Sequence, residues 1–326
     1  MSDKPRIVVT RRIPQPALDL LAEHGDVWLS PHDRPLTREE MFDAVKGADA
    51  IVCLLHDTID DAVLDAAGPQ LKVIANVAVG YNNVDTKAIE SRGTVWFTNT
   101  PGVLTEATAD IAMSLILMTT RRLGEGERVI RSETPWVWSM FYMLGTGIQG
   151  KTLGIVGLGL IGQATARRAK AFGMEIIYSG RRQADPAIEA ELGAKYVSFD
   201  ELLETADVVS LHCPLNDETK HLINADRLAQ MREDAYLVNT TRGPVVDEQA
   251  LVDALRKGEI KGAGLDVFEE EPKINPGLLD LENAVLIPHL GSATIETRTE
   301  MGLLAAANTV AILSGEEPPS PVVRVS

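Results

Sequence analysis

Cysteine is scarce, with only Cys53 and Cys213 in a chain of 326 residues. Both lie in or beside apolar runs, which fits small buried thiols in a reducing compartment and leaves no disulfide framework. Long hydrophobic runs are missing as well. None approaches the roughly 20 residues that cross a bilayer, and the opening Met-Ser-Asp-Lys-Pro has no signal-peptide pattern. A cytoplasmic location with no membrane partner is therefore expected. Positive charge is the third shortage: Lys and Arg total 31 against 47 Asp and Glu, a net charge of −16. Such a field repels polyphosphate backbones and argues against nucleic acid as a partner. It also means that an anionic cofactor or substrate needs a local cluster of positive groups. No repeat of solenoid period and no low-complexity segment occurs. At 45% hydrophobic residues, a chain of this length can bury two cores, and two domains are expected.

The stretch from Thr152 to Arg182 organises the rest. Leu153 to Val156 form an apolar run, Gly157, Gly159 and Gly162 supply G-x-G-x-x-G, a helical pattern follows, and a second strand ends at Ile176-Ile177-Tyr178-Ser179. Strand, glycine turn, helix and strand at this spacing read as a dinucleotide-binding unit. The first glycine allows the tight turn, the second lets backbone approach a pyrophosphate, and the third lets helix pack on strand. The phosphates then sit on the helix N-terminus. In units that use NAD the second strand ends in an acid that accepts the ribose hydroxyls. Here the end reads Ser179-Gly180-Arg181-Arg182, with no acid. A small glycine, a hydroxyl donor and two arginines suit a 2′-phosphate, so NADP(H) is expected to be preferred and NAD(H) to remain possible. The plainer alternative is that both arginines decorate a solvated loop.

Before this unit, strand and helix patterns alternate from Arg6 to Thr98, which implies a parallel sheet covered on both faces. Thr105 to Arg122 reads as one long apolar helix, opened by a cap-like Thr105 and bridging two domains. Trp136 to Met143 is aromatic-rich and suits either core packing or an exposed interface. After Arg182 the alternation resumes to Ile287, giving six strands by count. A last helix, Thr294 to Leu313, returns to the N-terminal unit, and Glu316 to Pro321 reads as a proline-rich terminus. The fold class expected is α/β, with two doubly wound parallel-sheet domains: residues 1–99 and 290–326 form a flavodoxin-like substrate domain, and 100–289 an inserted Rossmann cofactor domain.

Ligands of such folds lie beyond the carboxyl ends of the strands. Three signals stand there: Asn239 to Pro244, Asp266 to Pro272, and Pro288 to Thr294. His289 is a natural proton donor and acceptor near neutral pH. Glu271 is placed to hold its ring, and Arg242 to clamp a carboxylate. Each has a bland alternative, respectively a surface or core histidine, a solvated acidic turn and a surface ion pair.

With these motifs in order, the chain resembles the D-isomer-specific 2-hydroxyacid dehydrogenases, and among them the glyoxylate/hydroxypyruvate reductases. The resemblance spans Val77 to Asp85, Asn99 to Asp110, the glycine fingerprint, Asn239 to Asp247, Gly264 to Pro272 and Pro288 to Thr294. It implies reduction of a small 2-oxo acid, such as glyoxylate, hydroxypyruvate or 2-ketogluconate, to the D-2-hydroxy acid. Arg242, Glu271 and His289 are the implied catalytic trio, and Val79 and Gly80 offer backbone N–H groups to the substrate carboxylate. Leu160 and Ile161 would bracket the pyrophosphate, Cys213, Pro214 and Thr219 the adenosine, and Thr240 and Asp266 the nicotinamide. Thr105, Thr241 and Gly291 complete the implied cofactor set. Trp138 stands where an aromatic reaches a neighbouring subunit's pocket, and a homodimer is implied. No metal is assigned. A closing cleft is expected from the division of these groups between two domains. The alternative function is a nucleotide-sensing binding protein of the same fold, as in the corepressor relatives.

Overall fold

The computed structural model describes residues 4–325. The chain begins β1 (Arg6–Val9), α1 (Gln15–His24), β2 (Asp26–Leu29), α2 (Arg38–Val45), β3 (Ala50–Cys53), α3 (Asp61–Ala67), β4 (Val73–Asn76), α4 (Thr86–Arg92) and β5 (Trp96–Thr98). Two helices follow, α5 (Thr105–Thr120) and α6 (Leu123–Arg131), then β6 (Thr152–Val156), α7 (Leu160–Ala171), β7 (Glu175–Ser179), α8 (Pro186–Leu192), β8 (Ala194–Tyr196) and α9 (Phe199–Thr205). The remainder is β9 (Val208–Leu211), α10 (Ala225–Gln230), β10 (Tyr236–Asn239), α11 (Glu248–Lys257), β11 (Gly262–Leu265), α12 (Pro276–Leu279), β12 (Ala284–Leu286), α13 (Ile295–Leu313) and β13 (Pro321–Val323).

These elements form two compact units, Met1–Leu104 with Thr294–Ser326, and Thr105–Ala293. The junctions fall where α5 starts and at Thr294, whose side chain caps α13 by accepting the Thr297 amide at 3.0 Å.

Unit 1 has the sheet order β13-β5-β4-β3-β1-β2. Without β13 this is the 2-1-3-4-5 order of a flavodoxin-like sheet. The strands Ala-Ile-Val-Cys and Val-Ile-Ala-Asn are buried at every residue, as a parallel sheet covered on both faces requires. Helix α13 returns to pack on α1, β3 and β4. The tail is more than a proline-rich terminus, because β13 adds an antiparallel edge to β5, with Pro321 opposite Thr98 and Val323 opposite Phe97.

Unit 2 has the sheet order β12-β11-β10-β9-β6-β7-β8. Every pair is parallel, so β8-β7-β6-β9-β10-β11 is the 3-2-1-4-5-6 winding of a Rossmann sheet. The strands number seven rather than six. The one missed, β8, is a three-residue edge with Lys195 and Tyr196 exposed, which leaves no apolar run to read. The long helix also differs from expectation. It stops at Thr120, Arg122 takes a left-handed φ of 54°, and α6 starts afresh at Leu123. Thr105 is the first helical residue rather than its cap. Helix α5 opens unit 2 and packs on α7, β10 and β11.

Candidate active site

The glycine turn after β6 meets each steric demand of its motif. Gly157 has φ +95°, and a Cβ there would stand 3.0 Å from the backbone of His212 and Cys213. A Cβ on Gly162 would stand 2.4 Å from the Gly157 carbonyl oxygen, so only glycine lets α7 approach the turn. Gly159 is different: no atom lies within 4 Å of its Cβ position. The backbone is open there, at the residue that precedes Leu160 and the first turn of α7, which carries no side-chain cap.

At the end of β7, Ser179 is buried and its carbonyl accepts the Gly157 amide at 2.8 Å, joining the strand end to the glycine turn. Arg181 and Arg182 follow, exposed and with no ion-pair partner among the described residues. The loop beneath them is built: Tyr196 donates its hydroxyl to the Gly180 carbonyl at 2.9 Å, and the Tyr178 hydroxyl accepts the Ala184 amide and donates to Glu189. Burial and that carboxylate push the Tyr178 phenol up to about 12.

The end of β9 carries His212, Cys213 and Pro214. The His212 Nε2 shares a hydrogen with Ser210 Oγ at 2.8 Å, while its Nδ1 is buried with no partner among the described residues. Burial drives its pKa down to about 4, so the ring is neutral at pH 7. Burial pushes the Cys213 thiol up to about 11, which makes it an inert wall. The Thr219 hydroxyl is committed to its own turn, donating to the Pro214 carbonyl at 2.6 Å.

The ends of β10, β11 and β12 bring the three strand-end signals together. Asn239, buried, accepts the amide and hydroxyl of Thr241 and donates Nδ2 to the Arg242 carbonyl at 3.0 Å. The Thr240 hydroxyl is buried without a partner among the described residues. Burial lowers the Arg242 pKa, and the Glu271 carboxylate opposes that shift, so guanidinium and carboxylate share one environment. Glu271 Oε1 accepts the Phe268 amide at 3.0 Å, and Oε2 lies 2.8 Å from His289 Nδ1. His289 holds a left-handed φ of 52°, which costs a non-glycine residue free energy unless neighbours enforce it. Asp266 enforces it: its carbonyl accepts the His289 amide at 2.9 Å, and its carboxylate accepts the amides of Leu290 at 2.5 Å and Gly291 at 2.8 Å. Burial raises the Asp266 pKa, and those two amides together with His289 oppose the rise. The aspartate thus shapes the histidine loop.

A second histidine–carboxylate pair escaped the sequence reading. His221 Nε2 lies 2.6 Å from Glu269 Oε1, and the Glu269 amide donates to buried Glu248 at 2.7 Å. His221 and Glu269 are 48 residues apart, and no local spacing signals that they meet. In unit 1, Val79 and Gly80 follow β4 and are partly exposed. Trp138 is 73% exposed within a run, Trp136 to Leu144, that is mostly solvent-facing, so the core reading of that segment does not hold.

The residues of unit 2 fit a nicotinamide dinucleotide. Gly159 leaves open backbone, Thr240 Oγ1 and His212 Nδ1 have no partner among the described residues, and Arg181 and Arg182 supply positive charge at one strand end. Fold and site together define an NAD(P)-dependent dehydrogenase of the doubly wound class. Residues 113–291 match the family described as D-isomer specific 2-hydroxyacid dehydrogenase, NAD binding domain, and the chain belongs to that family. It is 48% identical over 326 residues to a glyoxylate reductase of Thermococcus onnurineus, covering 98% of this chain and 96% of that one. Among solved structures, a Thermus thermophilus protein superposes with a TM-score of 0.91 at 46% identity, covering 98% of this chain and 100% of the other. An NADPH-dependent glyoxylate/hydroxypyruvate reductase of Sinorhizobium meliloti, in complex with NADP and malonate, does so at 0.85 and 35%, covering 98% and 97%.

Proposed function

We propose that the protein reduces a small 2-oxo acid, with glyoxylate and hydroxypyruvate foremost and 2-ketogluconate as a larger candidate, to the D-2-hydroxy acid, preferring NADPH to NADH. The observation that carries this reading is the 2.8 Å contact of His289 Nδ1 with Glu271 at the carboxyl ends of a Rossmann sheet. The bound nicotinamide supplies the hydride. Glu271 fixes the His289 ring, so Nε2 faces the reaction, delivers a proton to the oxygen of the substrate carbonyl and removes it in the reverse reaction. Arg242 presents a planar fork to the 2-oxo acid, and the amides of Val79 and Gly80 receive its carboxylate. Ser179, Arg181 and Arg182 read the 2′-phosphate. Leu160 and Ile161 flank the pyrophosphate, and Thr240, Thr241, Asp266 and Gly291 line the nicotinamide side.

A homodimer accords with the exposed aromatic run at Trp136 to Leu144, and sedimentation at micromolar concentration tests it. The two buried, unlinked thiols suit a reducing cytoplasm. No helix among the described residues is long and apolar enough to cross a membrane. The function is tested by a panel of kcat/KM values for 2-oxo acids with NADPH and NADH, and an absence of turnover across the panel would overturn it.

A further inference from the structure

In unit 1 three successive carbonyls around Val79 are drawn into the fold. The Ala78 carbonyl accepts the Thr100 amide at 3.0 Å, the Val79 carbonyl accepts Asn99 Nδ2 at 2.8 Å, and the Gly80 carbonyl accepts Asn76 Nδ2 at 3.2 Å. Among the described residues the one cis peptide is Glu271–Pro272, so these three units are trans. In a trans peptide the carbonyl and the following N–H point in opposite directions. Drawing in three carbonyls therefore turns the amides of Val79, Gly80 and Tyr81 away from those partners, which leaves neighbouring donors of the kind that binds anions.

Asn99 is itself held by the end of the chain. Ser320 Oγ donates to the Asn99 carbonyl at 2.7 Å, and the Asn99 amide donates to the Ser320 carbonyl at 3.4 Å. Asn308, on α13 and fully buried, donates Nδ2 to Ser320 Oγ at 2.8 Å and to the Asn99 carbonyl at 3.4 Å, and accepts the Ser320 amide at 2.9 Å. The pairing of β13 with β5 sets this register. A satisfied, partly buried polar network of this kind favours one arrangement of its members.

We propose that Asn99 and Asn76 are positioning residues for the substrate carboxylate, and that the C-terminal segment, through Ser320 and Asn308, locks Asn99 in that role. The inference rests on the reading that Val79 and Gly80 receive the carboxylate. An aspartate at position 99 keeps the shape but sets an acceptor against the Val79 carbonyl, so the peptide is driven to turn and present a carbonyl where an amide stood. Ser320→Ala removes the hydroxyl and leaves the β13 backbone pairing in place.

The test compares wild type, Asn99→Asp and Ser320→Ala, each checked for folding by circular dichroism. The readouts are KM and kcat for glyoxylate and hydroxypyruvate, the Kd of NADPH, and the Kd of oxamate measured by calorimetry on the NADP-saturated protein. We expect Asn99→Asp to raise the 2-oxo acid KM and the oxamate Kd about ten- to a hundredfold, and Ser320→Ala about three- to tenfold, with NADPH Kd within about twofold. If Asn99→Asp does not fold, Ser320→Ala decides. Unchanged oxamate Kd and KM in folded variants, or an equal rise in NADPH Kd, overturns the relay. Wild-type turnover together with unaltered variants removes the relay and leaves the proposed function. A wild type without turnover whose variants lose oxamate removes the function and keeps the relay, and a wild type that binds no oxamate removes both the carboxylate receptor and its supports.

Discussion

A β-carbon on Gly243 would stand 1.9 Å from the carbonyl carbon and oxygen of Phe268. The loop that carries Arg242 therefore lies directly on the loop that carries Glu271, with no room for one methyl group. Gly243→Ala must push the two loops apart, since the atoms it meets are backbone and cannot swing away. Overpacking of this kind costs about 1–3 kcal/mol or more, and a displacement of about 1 Å at reacting groups lowers rate about a hundredfold. We expect a lower Tm and a kcat down by about that factor in the fraction that folds. Wild-type kcat in a folded Gly243→Ala would mean that the contact does not set the site.

His212 gives the protein an acid-sensitive element. Burial lowers its imidazole from 6.5 to about 4, so the unfolded chain takes up a proton near pH 6.5 and the folded chain does not until about pH 4. Between those values the unfolded state binds more protons, and the stability contributed above pH 6.5 is lost as pH falls towards 4. Urea midpoints across this window should fall less steeply in His212→Gln than in wild type. Parallel profiles would remove His212 from the acid response.

Arg242→Lys is expected to be a severe change. The ammonium keeps the charge but loses the planar fork, and burial that already lowers the arginine pKa acts more strongly on a lysine, which deprotonates readily. KM for the 2-oxo acid should rise and kcat fall, each about tenfold or more, as one charge-assisted hydrogen bond of about 1.5–3 kcal/mol is lost. Unaltered kinetics would place the substrate elsewhere.

Arg181 and Arg182 stand exposed beyond β7, at a strand end that lacks an acid. Replacing both by alanine should weaken NADPH about ten- to a hundredfold while leaving NADH nearly unchanged. Comparison of kcat/KM for the two cofactors checks this, and an unchanged NADPH/NADH ratio would return both arginines to the solvated loop.

The parts of the fold that were legible in the sequence are those fixed by local chemistry. Gly157, Gly159 and Gly162 announce their turn because each answers a local demand, a positive φ at Gly157, open backbone at Gly159 and close approach to the Gly157 carbonyl at Gly162, and buried parallel strands such as Ala50–Cys53 read as apolar runs. Short edges were not legible. Ala194–Tyr196 has two exposed residues, and Pro321–Val323 is a strand only because β5 lies beside it. The break at Arg122 depends on a left-handed φ that Arg-Arg-Leu does not signal. His289, Glu271 and their pairing could be named from their positions after strands, but the further bonds that shape the histidine loop could not. The bonds from Asp266 to Leu290 and Gly291 span 24 and 25 residues, and His221 reaches Glu269 across 48. Those distances close only when the strands are in register.

We propose that His289, held by Glu271, moves the proton in a nicotinamide-dependent reduction of a 2-oxo acid. The most direct measurement is the loss of NADPH absorbance on adding hydroxypyruvate or glyoxylate to wild type and to His289→Ala, with NADPH affinity determined for both. We expect turnover by wild type, a kcat about 10²–10⁴-fold lower in the variant, and NADPH affinity nearly equal in the two. Equal kcat in His289→Ala, or no turnover of any small 2-oxo acid by wild type, would contradict it.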